Sequence, residues 1–331
     1  MNKKRKVTAK KILSSVITAL VFTALVAGMS VSLGSCAKTE PASDTQSMPP
    51  RSRTVLTLVH PEWSTEIASA NLFQAVLQER MGYTVELLAV PVKEMWSKVA
   101  SGEADILTGA WLPATQRDYY EEYAPALDDL GPNLEGARIG LVVPTHTPGR
   151  QTGPSGQTSR DLVNIGSIEE LNSNSGRFGG RIVGIESGAG IMARTRDAMD
   201  AYGLTADFFL EESTEDRMIH RLSEAVYSGR WIVFTGWRPH RIFELYNLRF
   251  LEDPRGIFGR EEAIHTMVRK GFMEDHPEVH AVLSRINYSP EQLERLMRWI
   301  HENREEGPYR QAVRWIQVNK SQVDSWVSDK Q

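Results

Sequence analysis

SGEADILTGAWLP, residues 101–113, and SGRWIVFTGWRPH, residues 228–240, follow one plan. Each starts on Ser-Gly, passes through a short strand-like apolar run, reaches Thr-Gly, and ends with a Trp and then a Pro. The chain ahead of each passage alternates in the same way. Before the first, TVLTLVHPEW reads as a strand running into a turn at Pro61. Ile67, Leu72, Val76 and Leu77 then recur at helical spacing, with Ser64 or Thr65 placed to cap that helix. TVELLAV is a second strand, KEMWSKVASG a short helix stopped by Gly102, and ADILTGAW a third strand. Before the second passage, SIEELN starts a helix and GRIVGIESGAG is a strand with a glycine-rich turn. IMARTRDAMDAYGL is a helix stopped by Gly203, and DFFLEES a strand. EDRMIHRLSEAVYSG is a helix with Met218, Leu222 and Val226 at four-residue steps, leading into RWIVFTGW. Strands alternating with helices predict a mainly parallel sheet flanked by helices, and the repetition predicts two similar α/β lobes.

The remaining segments place the boundaries. IGLVV is a strand, and residues 145–160 are rich in Gly, Pro, Ser and Thr, the composition of a flexible loop. HTMVRKG reads as a strand returning from the second lobe, and the tail is helical. Residues 54–142 and 258–331 are therefore expected to form lobe one, and 143–257 lobe two.

The N-terminus is a different kind of sequence. Lys3, Lys4, Arg5, Lys6, Lys10 and Lys11 precede an apolar stretch from Ile12 to Leu33, followed by Leu33-Gly34-Ser35-Cys36. A stretch of 22 residues could span a bilayer. Cys36 decides otherwise: it is the only cysteine in the chain, and it stands where a lipoprotein signal needs one. Residues 1–35 are read as a lipoprotein signal peptide, Cys36 as the lipid anchor, and 36–53 as a polar, Pro-containing tether. Thirty-eight basic residues less the six of the signal leave 32 against 42 acidic ones. That acidic balance, with no long basic run, argues against nucleic acid as a partner.

In open parallel sheets the ligand crevice lies beyond the carboxyl ends of the strands, where Trp111 and Trp237 both stand. Trp63 follows the first strand and joins them. Indole faces attract cations at about 0.5–2 kcal/mol each. A quaternary ammonium suits such a site, because its methyl groups donate no conventional hydrogen bonds. The other five of the eight tryptophans, Trp96, Trp231, Trp299, Trp315 and Trp326, lie in apolar helix or strand patterns and read as packing residues. Nearby, Gly184, Gly188 and Gly190 connect a strand to a helix, and the free N–H groups of a helix start suit a carboxylate or phosphate.

HPEWSTE, ASGEADILTGAWLP, DLGPNLEGARIGLVVP, IVGIESGAGIM, FTGWRPHRIFELYNLRFLEDPRGIFG and IHTMVRKG, taken together and in order, resemble the substrate-binding proteins of glycine betaine and proline betaine ABC importers. The likeness covers nearly all of residues 54–300. It implies a type II periplasmic-binding-protein-like clamshell that closes on its ligand by hinge motion and docks on a permease served by an ATPase. It further implies a three-Trp prism around a trimethylammonium group, matching Trp63, Trp111 and Trp237. The ligand carboxylate would be held by backbone N–H groups matching Gly190 and Ile191, and by a His after the Trp-Leu-Pro stretch. Here that position is Gln116, which can donate a hydrogen bond but carries no charge. The departure leaves choline and carnitine open beside the betaines. His240, at the second Trp end, is either a compensating carboxylate ligand or a cap on local backbone. A role in osmoprotection is implied. The protein is expected to be a monomer, not an enzyme, with no cofactor and no metal.

Other signals are weaker. Gly188, Gly190 and Ala193 fit a dinucleotide fingerprint with Glu211 and Glu212 downstream, but the lone motif is poorly specific and an exported protein meets little NAD. HPEVH, residues 276–280, has two His at metal-binding spacing, yet Pro277 marks a helix start. Glu103 and Asp105 read as solvated. Sequence alone separates a sensory receptor lobe poorly from an importer's binding lobe.

Overall fold

The computed structural model describes residues 55–145 and 163–328. The signal peptide, Cys36, the tether and nearly all of the 145–160 loop lie outside the described residues.

The first alternation folds as β1 (Val55–His60), α1 (Ser64–Met81), β2 (Thr84–Ala89), α2 (Val92–Ser101), β3 (Ile106–Leu112) and α3 (Arg117–Tyr123). A long strand, β4 (Leu127–Pro144), follows. The second alternation is α4 (Ser175–Phe178), β5 (Arg181–Val183), α5 (Gly190–Ala201), β6 (Phe209–Glu211), α6 (Glu215–Ser228) and β7 (Val233–Arg238). After α7 (Ile242–Leu245), β8 (Leu248–Phe250) and β9 (Glu262–Arg269), the chain ends in α8 (Phe272–Asp275), α9 (Pro277–Leu283), α10 (Pro290–Glu302), α11 (Gly307–Val318) and α12 (Lys320–Val327). SIEELN forms a short 3-10 turn rather than an α-helix, closed by a capping box at Ser167.

The two Ser-Gly signals work alike. Gly102 ends α2 at φ 80° and Gly229 ends α6 at φ 65°, a left-handed backbone that favours glycine. Each turn feeds a strand that carries its Trp to the sheet's carboxyl edge, and each Trp is followed by a cis X-Pro peptide, Leu112-Pro113 and Arg238-Pro239.

In the first half, β1 pairs in parallel with β2 and β3; in the second, β5 pairs in parallel with β6 and β7. The expected α/β alternation is therefore present twice. What joins the halves is antiparallel. β9 lies between β3 and β4, and β4 pairs with β9 from Leu127 to Ala137, then with β7 from Arg138 onward. The sheet order is β2-β1-β3-β9-β4-β7-β5-β6, with β8 also on β4. Residues 138–142, read as lobe one, thus hydrogen-bond to a strand of the second half. An unbroken apolar pattern in β4 cannot reveal where its partner changes.

β3 is buried at every position, as a strand covered on both faces should be. α1 packs between the first-half sheet and helices α10 and α11. Its Leu72, Phe73, Val76 and Leu77 are fully buried. Trp315 and Trp326 stack with centroids 6.0 Å apart in the same core. Trp231 and Trp299 are half-buried, with Arg177 and Arg314 lying 3.5 and 4.4 Å over their faces. Asp105 is not solvated as read from sequence. It accepts from the Thr57 N–H and from Arg269 Nε, both at 2.8 Å, and so ties β1 to β9.

Candidate binding site

A cavity enclosing about 310 Å³, part of it open to solvent, lies between the halves. Trp63 at the start of α1, Trp111 at the end of β3 and Trp237 at the end of β7 all line it, completed by Ile139 and Ile185. The three indoles flagged in the sequence are thus brought together from three separate elements. No ionisable side chain is among those lining the cavity.

Each indole N–H is bonded away into the protein. Trp63 Nε1 donates to Glu186 Oε2 at 3.0 Å, Trp111 Nε1 to Glu66 Oε1 at 2.8 Å, and Trp237 Nε1 to Thr65 Oγ1 at 3.0 Å. The first turn of α1 therefore helps place all three rings. Trp63 supplies one ring, Thr65 holds the second and Glu66 the third.

That arrangement overturns the expected helix cap. Trp63 is the N-cap residue and offers no side-chain bond. The Ser64 N–H is capped instead by Glu215 Oε2, at 2.8 Å, from α6 of the other half. Thr65 does not cap either: its hydroxyl donates to the Pro239 carbonyl and accepts from Trp237. Burial works against ionised Glu215, but the bonds it takes from the His240 ring and from Ser64 hold its carboxyl below the usual range.

At the polar end, Thr115, Gln116, Gly190 and Ile191 line the cavity. The N-cap of α5, Ala189, has no side-chain bond, and the N–H groups of Gly190 and Ile191 take no acceptor among the described residues. Glycine is needed at 190 because a Cβ there would overlap the Thr115 carbonyl oxygen. Gln116 is buried, and its Oε1 accepts from Trp96 Nε1 at 2.8 Å. The amide is thereby oriented with its NH2 as the remaining donor. Trp96, read as a packing residue, is fully buried and also sets this orientation. Glu262 of β9 accepts from the N–H groups of Ala114 and Thr115, which fixes the turn that carries Gln116.

His240 is not part of the cavity wall. It is fully buried behind Trp237, edge-on at 4.7 Å. Its Nε2 meets Glu215 Oε1 at 2.9 Å and its Nδ1 accepts from the Ile242 N–H at 3.1 Å. Both ring nitrogens are occupied, so the backbone-capping alternative is the one the geometry supports.

At the rim, Tyr119 Oη donates to the Gly188 carbonyl at 2.9 Å, and Arg194 pairs with Asp118 at 3.0 Å. Glu211, the acid of the dinucleotide fingerprint, is tied to Arg181 and Arg221. Pro277 opens α9, and no cluster of potential metal ligands occurs among the described residues. No described helix is long and apolar enough to cross a membrane.

Two α/β halves around an aromatic cleft define a substrate-binding protein of the type II periplasmic class. Residues 54–318 match the family model OpuAC, the substrate binding domain of ABC-type glycine betaine transport systems, and the chain belongs to that family. It is similar to lactococcal OpuAC in its closed form with glycine betaine, at 35% identity over 83% of this chain and 99% of that one, TM-score 0.73. It is also similar to a glycine betaine/L-proline-binding protein (ProX) from Borrelia burgdorferi, at 32% identity over 84% and 98%, TM-score 0.76. The glycine betaine/carnitine transport binding protein GbuC of Listeria monocytogenes is 38% identical over 146 residues, 44% of this chain and 48% of that protein. That match spans about half the length of the curated relative.

Proposed function

We propose that this protein captures glycine betaine, or a closely related quaternary ammonium compound, and delivers it to the permease of an ABC importer for osmoprotection. The observation that carries the reading is the charge-free cavity where Trp63, Trp111 and Trp237 meet opposite the uncapped start of α5. The indole faces take the trimethylammonium group, whose attraction to them grows as water is excluded. Gly190 N–H, Ile191 N–H and the Gln116 amide take the carboxylate. The lining carries no charge, so discrimination rests on ring geometry at one end and hydrogen-bond donors at the other. The protein works as a monomer held to the outer face of a membrane through lipidated Cys36, which the cationic and apolar segment before that cysteine supports.

A second reading, capture of choline or carnitine, is favoured by one observation: Gln116 offers an uncharged donor to the polar end. Calorimetric or Trp-fluorescence titration with glycine betaine, proline betaine, choline, carnitine and ectoine separates the two. The expected result is saturable binding of the betaines and weaker binding of the rest. Tighter binding of choline than of both betaines would replace the first reading with the second, and no binding of any quaternary amine would refute both.

A further inference from the structure

Glu66 is a buried carboxyl bonded to a cage indole. The residue is 1% exposed, and its Oε1 accepts from Trp111 Nε1. Its Oε2 has no hydrogen-bond partner, and no cation pairs with Glu66 among the described residues. Space for that oxygen is made in β3, where a Cβ on Gly109 would overlap it. The titratable groups around it offer no counter-charge of their own. Tyr288, ahead of α10, is held neutral by burial and bonds to Ser69 and Asn133. Glu215, on the other side of Ser64, is held by the His240 ring and the Ser64 N–H. Glu294 of α10 accepts from the His240 N–H, and Glu262 of β9 is committed to Thr115.

We propose that Glu66 is the buried counter-charge for the quaternary ammonium, acting on it through the Trp111 indole as a positioning and specificity residue. The inference rests on the cage reading above. A carboxylate in a dry interior without a cation favours its neutral form. A permanent cation held against the ring face reverses that preference, and the ionised acid in turn makes the ring more attractive to the cation. A neutral ligand of the same shape gains nothing from it. Ligand capture therefore drives the Glu66 proton out to solvent.

Burial pushes the Glu66 carboxyl up to about 7, with the Trp111 bond opposing. The bound cation lowers it again. By linkage, affinity rises as pH climbs through about 7 and levels off above it, with proton release on binding near neutrality.

The test is calorimetry with glycine betaine and with choline at pH 6, 7 and 8, in two buffers of different ionisation enthalpy. Wild type is expected to bind about tenfold more tightly at pH 8 than at pH 6 and to release protons at pH 7. Glu66→Gln keeps an acceptor for Trp111 and is expected to bind at the weaker level at every pH, with no proton release. Wild-type affinity that is flat from pH 6 to 8 without proton release would overturn the proposal, as would a Glu66→Gln protein that keeps the pH profile. Should that variant fail to fold, the wild-type proton count decides alone. If neither ligand binds at any pH, the cage reading itself has failed and this inference falls with it.

Discussion

The Trp111 and Trp237 ends look like copies, yet the protein treats them differently. Both follow a left-handed glycine, a buried strand and a Thr-Gly step, and both precede a cis X-Pro peptide. Trp111 stands one residue further from its Thr-Gly than Trp237 does, and β3 absorbs the added Ala110 at a register shift between Leu107 and Ala110. The indole N–H of Trp111 then meets a carboxyl, Glu66, while that of Trp237 meets a neutral hydroxyl, Thr65. Adjacent residues on one helical turn reach the two rings. A repeat can place two aromatic faces alike and leave each ring's electrostatic backing to be set separately.

The largest effect is expected from removing a ring. Trp111→Ala or Trp237→Ala loses one indole face together with its apolar contact, about 2–3 kcal/mol or roughly a hundredfold in affinity. Titration with glycine betaine, alongside a thermal melt to confirm folding, checks this. If both variants bind like the parent, neither end touches ligand and the comparison has no functional content.

Next comes the backing of Trp237. Thr65→Val leaves the Trp237 N–H without its acceptor and the Pro239 carbonyl without its donor. Affinity is expected to fall by up to about tenfold through loosened ring placement. The loss should be equal at pH 6 and pH 8, because no charge is involved. A pH-dependent loss would mean that the two ends share one electrostatic network.

A smaller change is expected at the polar end. Gln116→His must still accept from the buried Trp96 N–H, so its ring stays neutral and offers one N–H to the ligand. Carboxylate-bearing ligands should tighten by only about two- to fivefold, and choline should be unaffected. Equal shifts for betaine and choline would place Gln116 away from the carboxylate. The smallest effect is expected from Trp231→Phe, at the beginning of the second passage. It packs under Arg177 outside the cavity, so binding should change by less than about twofold.

Much of the fold was legible because it rests on local rules: helical spacing, glycine stops, and a pattern that occurs twice. The same rules marked Trp111 and Trp237, and the glycines before α5. What they missed depends on partners distant in the chain. Ser64 and Thr65 have the chemistry of a local cap, yet Glu215 does the capping and Thr65 serves Trp237. Trp96 has the pattern of a packing residue, and only its bond to Gln116 shows its second role. His240 offered two readings that only its neighbours Glu215 and Ile242 separate. Glu66 in HPEWSTE gave no signal beyond an acidic residue in a first helical turn. Its burial follows from how β3 crosses α1, which no spacing in either segment encodes.

The Glu215 carboxylate on the Ser64 N–H has one more consequence. α1 and α5 both start at this cleft, and each presents partial positive charge there. At α1 that charge is already answered from within the protein. At α5 it is left open. On the proposed reading, a zwitterion entering between the halves settles acid end toward α5 and methylated end among the rings.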